Sequence, residues 1–439
     1  MSMQDDFKAF LSDIEPSTTT VNSISSAHSS LRGFLEKHDE YSAHCANTYL
    51  SGSYAKHTAI RPAKDNDNRD VDIIIETDYT TDADPADVII ELRDALLNSS
   101  KYQSAHLQSH SIGITMQKLD IDVVPLAVGD GKTYIGCIDD GSWNETDPKG
   151  HKEWSTETND TYNGRYKPVV KIMKWWRHQN CPEGIRWPKG ITLEKIIADC
   201  YPSELTKYED ILFGLLQNIV DQYSEDIDLS IIPFVEDPKV SGNDLSFGYA
   251  LEDYESFLQG VKNSLKILQD SGSCNQAWRD ILGDRFPASK SSSATSALTL
   301  SSDYMPVMEA LQVSHKQKPK WPIAAKHPRV IIVADVEFPN GKTERIASND
   351  MSIPKGCNIN YQVLRSQTLA NLKVEWQIVN TGQEAYQAQC PRGEFCESNL
   401  SKGGRHEETA YRGRHYVQAF LIKRGRCVAF SKEFFINVE

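Results

Sequence analysis

Ser51-Gly52-Ser53-Tyr54-Ala55-Lys56-His57-Thr58-Ala59-Ile60, followed by Asp70-Val71-Asp72-Ile73, decides how this chain is read. Asp70 lies seventeen residues beyond Ser53, with a short helix expected between them. Glycine lets a phosphate approach the backbone, and the serine and the following helix N-terminus supply donors to it. Two carboxylates one residue apart on a strand point to the same face, so Asp70 and Asp72 can share divalent metal. Glycine-serine, short helix and acidic-x-acidic strand, in that order, point to a nucleotidyl-transfer site.

In-line nucleotidyl transfer needs two magnesium ions, one to lower the pKa of the attacking hydroxyl and both to stabilise charge developing at phosphorus. A third carboxylate is expected from a neighbouring strand. Leu119-Asp120-Ile121-Asp122-Val123-Val124-Pro125 offers two on one face. Asp122 is preferred, because the apolar Val-Val-Pro directly after it buries the strand end; Asp120 is the reserve. A calcium loop is the rival metal reading, with Asp65, Asp67 and Glu76 at its first, third and twelfth positions. Arg69 and Asp70 stand at the fifth and sixth positions, where a ligand and a glycine are required, and the run Val71 to Ile75 makes a strand instead.

At 439 residues the chain is too long for one ordinary core, and 39% hydrophobic with 25% charged residues is an ordinary globular balance. No apolar run approaches the roughly 20 residues that span a bilayer. Met1 to Ile14 is acidic and amphipathic, without the basic start of a signal peptide, so a cytoplasmic location is expected. Nine scattered cysteines without a Cys-x-x-Cys pair fit reduced thiols, and Cys390, Cys396 and His406 match no standard zinc spacing. The net charge is −14, unevenly spread: from His327 onward 15 Lys and Arg face 12 Asp and Glu, net +3, which leaves −17 for the rest. An acidic body argues against binding a duplex along its length.

Periodicity divides the chain. Residues 1–45 read as helical, and Val71–Glu76 and Ile121–Leu126 as buried strands flanking a helix over Ala86–Leu97. Helical spacing dominates Tyr166–His178, Leu193–Cys200, Tyr208–Tyr223 and Tyr249–Gln269. A Ser, Thr and Ala-rich stretch, Pro287–Ser302, and the basic, proline-containing Lys316–Pro322 suggest a linker. Beyond it, about seven short strands separated by turns such as Asn340-Gly341 suggest an immunoglobulin-like β-sandwich, with Trp376 as core tryptophan and Tyr416 in a tyrosine corner. The expected fold class is α+β. It comprises a polymerase-β-like core with an N-terminal helix (1–150), a helical second lobe (151–285), a linker (286–326) and the sandwich (327–439).

The Ser51–Ile60, Asp70–Ile73 and Asp122–Pro125 motifs resemble those of polymerase-β-like nucleotidyltransferases. More narrowly they resemble the bacterial cGAS/DncV-like enzymes (CD-NTases, SMODS type), as do Thr146-Asp147-Pro148 with His151, Val170–Trp176, Leu193-Glu194, and Asp237-Pro238 with Asn243. The tail resembles the AGS-C sensor module fused to some of these enzymes. One departure is His57, where many relatives carry a small residue, often glycine.

The resemblance implies a catalytic and metal-binding set of Asp70, Asp72 and Asp122. It implies nucleotide contacts from Gly52 and Ser53, and from Lys174 with Lys171 as a second lysine; Lys167, Lys171 and Lys174 recur at i, i+4 and i+7 on one helical face. Trp175 and Trp176 are expected in the core. The implied reaction joins nucleoside triphosphates, ATP among them with the second base open, into a cyclic di- or trinucleotide. Its product would act as a second messenger on an effector protein in bacterial antiphage (CBASS) defence. An activating ligand at the tail is implied; there Arg412, Arg414, Lys423, Arg424 and Arg426 concentrate positive charge. Rival readings are a terminal nucleotidyltransferase acting on RNA or protein, and a non-catalytic nucleotide-binding regulator.

Overall fold

The computed structural model describes residues 3–62, 68–116, 118–288, 305, 310–311, 313–324, 329–349, 351–365 and 369–439. The chain forms two compact units, one of Leu11–Asp199 with Asp226–Phe257, the other of Met1–Phe10, Cys200–Glu225 and Leu258–Glu439.

In the first unit, helices α1 (Met3–Ile14, largely in the other unit) and α2 (Thr18–Leu35) precede strand β1 (Cys45–Leu50) and the one-turn helix α3 (Gly52–Ala55). Then follow β2 (Arg69–Thr80), α4 (Pro85–Leu97), β3 (His106–Leu107), β4 (Ile112–Met116), β5 (Leu119–Gly129), β6 (Lys132–Gly136) and β7 (Trp143–Thr146). Strand order is β1-β2-β5-β4-β3, with β6 and β7 added to β5. The β2–β5 pair is parallel and needs a crossover, which α4 provides. Asp84 caps α4 by accepting from Ala86 N at 2.8 Å, with Pro85 at the first helical position.

Alternation along β2 separates two faces. Val71, Ile73 and Ile75 join Ile121 and Val123 of β5 under Ile89, Leu92 and Leu96 of α4, with Leu31 and Leu35 of α2 in the same core. Asp70 and Asp72 therefore lie on the opposite face, away from this core. Helices α5 (Pro148–Thr161), α6 (Tyr166–Asn180) and α7 (Gly190–Asp199) complete the unit. Trp175 and Trp176 are buried, as expected, and Trp176 stacks on Trp187 with ring centroids 5.0 Å apart.

The second unit holds most of α8 (Tyr208–Asp228) and α9 (Leu251–Ser271), and all of α10 (Asn275–Leu282). Phe7 of α1 sits edge-on to Trp278 at 5.0 Å and to Phe286 at 4.9 Å. The remainder is sheet-rich, with ten strands where about seven are expected. They are β8 (Arg329–Glu337), β9 (Thr343–Ile346), β10 (Ser352–Ile353), β11 (Asn358–Leu364), β12 (Lys373–Val379), β13 (Arg392–Glu397), β14 (Arg405–Glu408), β15 (Gly413–Lys423), β16 (Arg426–Ser431) and β17 (Phe434–Val438). Hydrogen bonds connect them in the order β10-β17-β15-β16-β8-β11-β14, with β12 and β13 reached through β15 and β9 through β8.

Trp376 is fully buried in this core and donates to Gly403 O at 3.0 Å. Tyr416 does not form the expected tyrosine corner. Its ring packs on Phe435 at 5.3 Å under the Lys316 ammonium, and its buried hydroxyl has no hydrogen-bond partner among the described residues. All nine cysteines are free thiols. Cys396 and His406 are engaged locally, Cys396 with Trp376 O and His406 with Asn360. Asp65 and Asp67 of the calcium reading, and residues 289–302 of the Ser-rich stretch, lie outside the described residues. Among those described, no helix is long and apolar enough to cross a membrane.

Candidate active site

A cavity of about 1700 Å³ opens in the first unit, lined by Gly52, Ser53, Asp70, Asp72, Asp120 and Asp122 among others. The parallel register sets Asp70 opposite Asp120 and Asp72 opposite Asp122, so four carboxylates from two strands share one face. Asp120, the reserve candidate, accepts from Asn68 Nδ2 at 3.0 Å.

Gly52 has φ +58°, and a Cβ there would lie 1.8 Å from Asp72 Oδ2. Backbone geometry and close approach both require glycine, which presses the phosphate-type turn against the carboxylate. The turn is tied to the strand by Ser51 N donating to Asp72 O at 2.9 Å. His57, the departure from the family pattern, has φ +57°, a left-handed conformation that glycine adopts without strain.

Burial raises the pKa of all three candidate aspartates, and their neighbours add to it. Asp122 and Asp120 push Asp70 up, and Asp122 and Asp70 push Asp72 up, with Lys56 and Lys174 opposing in the case of Asp72. For Asp122, a hydrogen bond from Gln108 opposes the effect of burial. Among the described residues no three His, Cys, Asp or Glu side chains close on a single point. The donor set is nonetheless all hard carboxylate oxygen under mutual repulsion, which fits a divalent cation such as magnesium.

The lysines divide. Lys171 pairs with Glu15 at 2.6 Å, and Lys167 donates to Thr156 at 3.2 Å. Lys174 lines the cavity, yet its ammonium donates to Glu194 Oε1 at 2.7 Å and to Thr58 Oγ1 at 2.9 Å. Lys56 reaches the other oxygen of Glu194 at 2.7 Å. Burial opposes ionisation of Glu194, but Lys174 and Lys56 hold its pKa down at about 2. Residue-type reasoning missed Lys56 and the ionic role of Glu194. The available signal was a lysine four residues after Gly52, which returns to the same turn.

On another stretch of the wall, Asp147 caps α5 by accepting from Gly150 N at 2.8 Å. His151 Nε2 lies 2.8 Å from Asp237, which also accepts from Lys239 N at 2.9 Å and Asn243 Nδ2 at 3.1 Å. The Asp147-Pro148, His151 and Asp237-Pro238/Asn243 motifs, far apart in sequence, thus form one region of the first unit.

Comparison with known proteins agrees with this geometry. Residues 1–159 match the Second Messenger Oligonucleotide or Dinucleotide Synthetase domain, and residues 311–439 the Adenylyl/Guanylyl and SMODS C-terminal sensor domain. The cyclic AMP-AMP-AMP synthase of an Acinetobacter species is 36% identical over 312 residues, 69% of this chain and 90% of that protein. The cyclic AMP-AMP-GMP synthase of Enterobacter hormaechei is 24% identical over 357 residues, 65% of this chain and 92% of that protein. In fold, the chain is similar to the CD-NTase CdnG of Bradyrhizobium diazoefficiens in complex with GTP (TM-score 0.56, 13% identity, 65% of this chain and 97% of that one). It is also similar to CdnC of E. coli MS115-1 with ATP (TM-score 0.53, 17% identity, 65% and 99%).

These matches define a polymerase-β-like nucleotidyltransferase. The chain belongs to the bacterial cGAS/DncV-like enzymes, the CD-NTases, and is a synthase of cyclic oligonucleotide second messengers.

Proposed function

We propose that the first unit joins nucleoside triphosphates, ATP among them, through Asp70, Asp72 and Asp122, and releases a cyclic trinucleotide or dinucleotide. The observation that carries this reading is the register that sets Asp70 and Asp72 beside Asp120 and Asp122, with the Gly52 turn against Asp72. The similarity to a cyclic AMP-AMP-AMP synthase favours adenosine nucleotides and a three-membered product.

Asp70 and Asp72 would hold two magnesium ions with Asp122. When bound, the metal neutralises charge at the α-phosphate and acidifies the attacking ribose hydroxyl. The chain's own residues do the rest. Gly52 and Ser53 present backbone to the phosphates, and Asp122 helps activate the hydroxyl. The lysine wall attracts the triphosphate. Pyrophosphate leaves as each phosphodiester bond forms.

The domain division read from the sequence, with the linker at 286–326 and an immunoglobulin-like sensor at 327–439, belongs to the same proposal. So do a cytoplasmic setting in antiphage defence, an effector that reads the product, and an activating ligand at the C-terminal sheet. A ligand of that sheet should change the rate of product formation.

The central test incubates the protein with labelled ATP, alone and mixed with the other triphosphates, in magnesium. A small phosphatase-resistant product, identified by mass spectrometry and lost in Asp70→Ala with Asp72→Ala, supports the reading. Label in macromolecules, or product from the double variant, overturns it.

A further inference from the structure

Asp122 has neighbours on the side away from Asp72. The registers set Gly113 of β4 opposite Asp122 and His106 of β3 opposite Gly113, so one row across the sheet runs His106, Gly113, Asp122, Asp72. Residues directly opposite one another in a sheet share a face. Gly113 is the member of that row without a side chain, and the space above it is taken. A Cβ there would lie 2.6 Å from His106 Nε2 and 2.6 Å from Gln108 Nε2. Gly113 lies within a strand and has no left-handed φ, so what glycine supplies here is room rather than backbone freedom.

Gln108 is held so that its amide uses that room. Ser111 Oγ donates to Gln108 Oε1 at 2.5 Å, and Gln108 N donates to Ser111 O at 2.9 Å. With its oxygen engaged by the hydroxyl, the side chain keeps its two N–H donors for the other direction, and it donates to Asp122. The turn that carries Gln108 is tied down on both sides. His110 Nδ1 donates to Gly136 O at 2.8 Å, Ile138 N to Ser109 O at 2.8 Å, and His106 Nδ1 to Ser104 O at 3.0 Å. Burial pushes the Asp122 carboxyl up, and the hydrogen bond from Gln108 opposes it.

We infer that Gln108 is a positioning residue for nucleotidyl transfer: its amide fixes one oxygen of Asp122 and leaves the other for the divalent cation, reaching it across the space kept open by Gly113. This rests on the reading of Asp122 as a metal-binding carboxylate. The terminal torsion of an aspartate is broad, so a carboxylate without a donor would turn away from the repelling Asp120 and Asp72 beside it. A neutral donor corrects the orientation and leaves the negative charge in place. A lysine or arginine at the same point would compete with the metal for that charge.

The test compares Gln108→Met, which keeps the side-chain length and removes both donors, with Gly113→Ala, whose methyl group pushes the ends of Gln108 and His106 aside, and with the double variant. Mn2+ binding to the full chain, read from the electron paramagnetic resonance of the free ion, should weaken about tenfold in each single variant and no further in the double. With the triphosphates that the parent accepts and magnesium, kcat should fall about tenfold in all three, while KM for the nucleotide stays within about twofold of the parent. Gln108 and His106 are exposed, so their ends can move without unfolding the chain, and melting temperatures check this. Ser111→Ala frees the Gln108 amide to rotate and should give a smaller loss of the same kind, which keeps the test open if Gly113→Ala does not fold. Parent-like Mn2+ affinity and kcat in Gln108→Met, or losses that multiply in the double variant, overturn the inference while Asp122→Ala still loses Mn2+. Parent-like Mn2+ affinity in Asp122→Ala overturns the metal-binding reading of Asp122 itself, so the two failures are told apart.

Discussion

Two buried charge clusters, one in each unit, are built with opposite signs. In the cavity wall a single carboxylate, Glu194, lies between two lysines. In the second unit a single guanidinium, Arg345 of β9, lies between Glu209 of α8 and Asp335 of β8. Arg345 grips Asp335 with two hydrogen bonds of 2.7 and 2.8 Å, and Ser273 donates to Glu209 at 3.1 Å. Exposure is low at the centre of both: 0% for Glu194 and 11% for Arg345. The excess charge has a different remedy in each. The cation-rich cluster shares its cavity with Asp72, whose carboxylate the two lysines help keep ionised. The carboxylate-rich cluster borders Asp210, whose pKa is raised to about 7 by burial and by Glu209, so a proton can relieve it. One cluster lies in a cavity wall; the other ties the first turn of a helix to a sheet.

Removing the central ion of each cluster should break this contrast most strongly. Glu194→Ala leaves two buried ammonium groups unpaired and should lower stability by about 3–5 kcal/mol near neutral pH. Part of that loss should be regained at high pH, where a lysine can shed its proton. Arg345→Met leaves carboxylates unpaired and should cost about 2–4 kcal/mol at pH 8, with the deficit shrinking as pH falls. Denaturant unfolding across pH reads both, and parallel pH trends in the two variants would contradict the opposite signs.

Asp210→Asn sharpens the same point with a smaller effect. The folded-state pKa of Asp210, about 7, exceeds the ordinary 3.8, so the folded chain binds the extra proton between those values. Stability from this group is complete below about pH 4 and is lost as pH rises to about 7, by roughly 1–3 kcal/mol. The asparagine variant should flatten that segment of the pH–stability curve and melt higher than the parent at pH 8. His57→Gly is the mildest change. Relief of the left-handed backbone should add about 0.5–1 kcal/mol, part of it offset by greater freedom of the unfolded chain.

The strands that carry the candidate aspartates were legible because two local rules agree there. Val71, Ile73 and Ile75 alternate with Asp70 and Asp72, and the alternation fixes which face is apolar whatever the partner strand. Asp122 was reachable by the same rule on β5. The ion-pair partners of the lysines were not, since helical spacing places Lys171 and Lys174 on one face but does not reveal the distant carboxylates that meet them, Glu15 and Glu194. The pairing of Lys56 with Glu194 was hidden for a related reason: Lys56 follows a single turn of helix, where no periodicity signals direction. In the C-terminal sheet, spacing and turn residues found the strand-rich character. They undercounted the strands because β9, β10 and β14, of four, two and four residues, are too short to show an alternation.

The clash that a side chain at Gly52 would meet has a genetic consequence. The position a methyl group would take at residue 52 is already held by Asp72 Oδ2. Even Gly52→Ala should therefore behave as a lesion of the carboxylate rather than of the turn. Its phenotype should match that of an Asp72 variant, and restoring backbone flexibility elsewhere in the segment should not suppress it. Lesions at two positions twenty residues apart would then present as the same biochemical defect, because a single volume serves both.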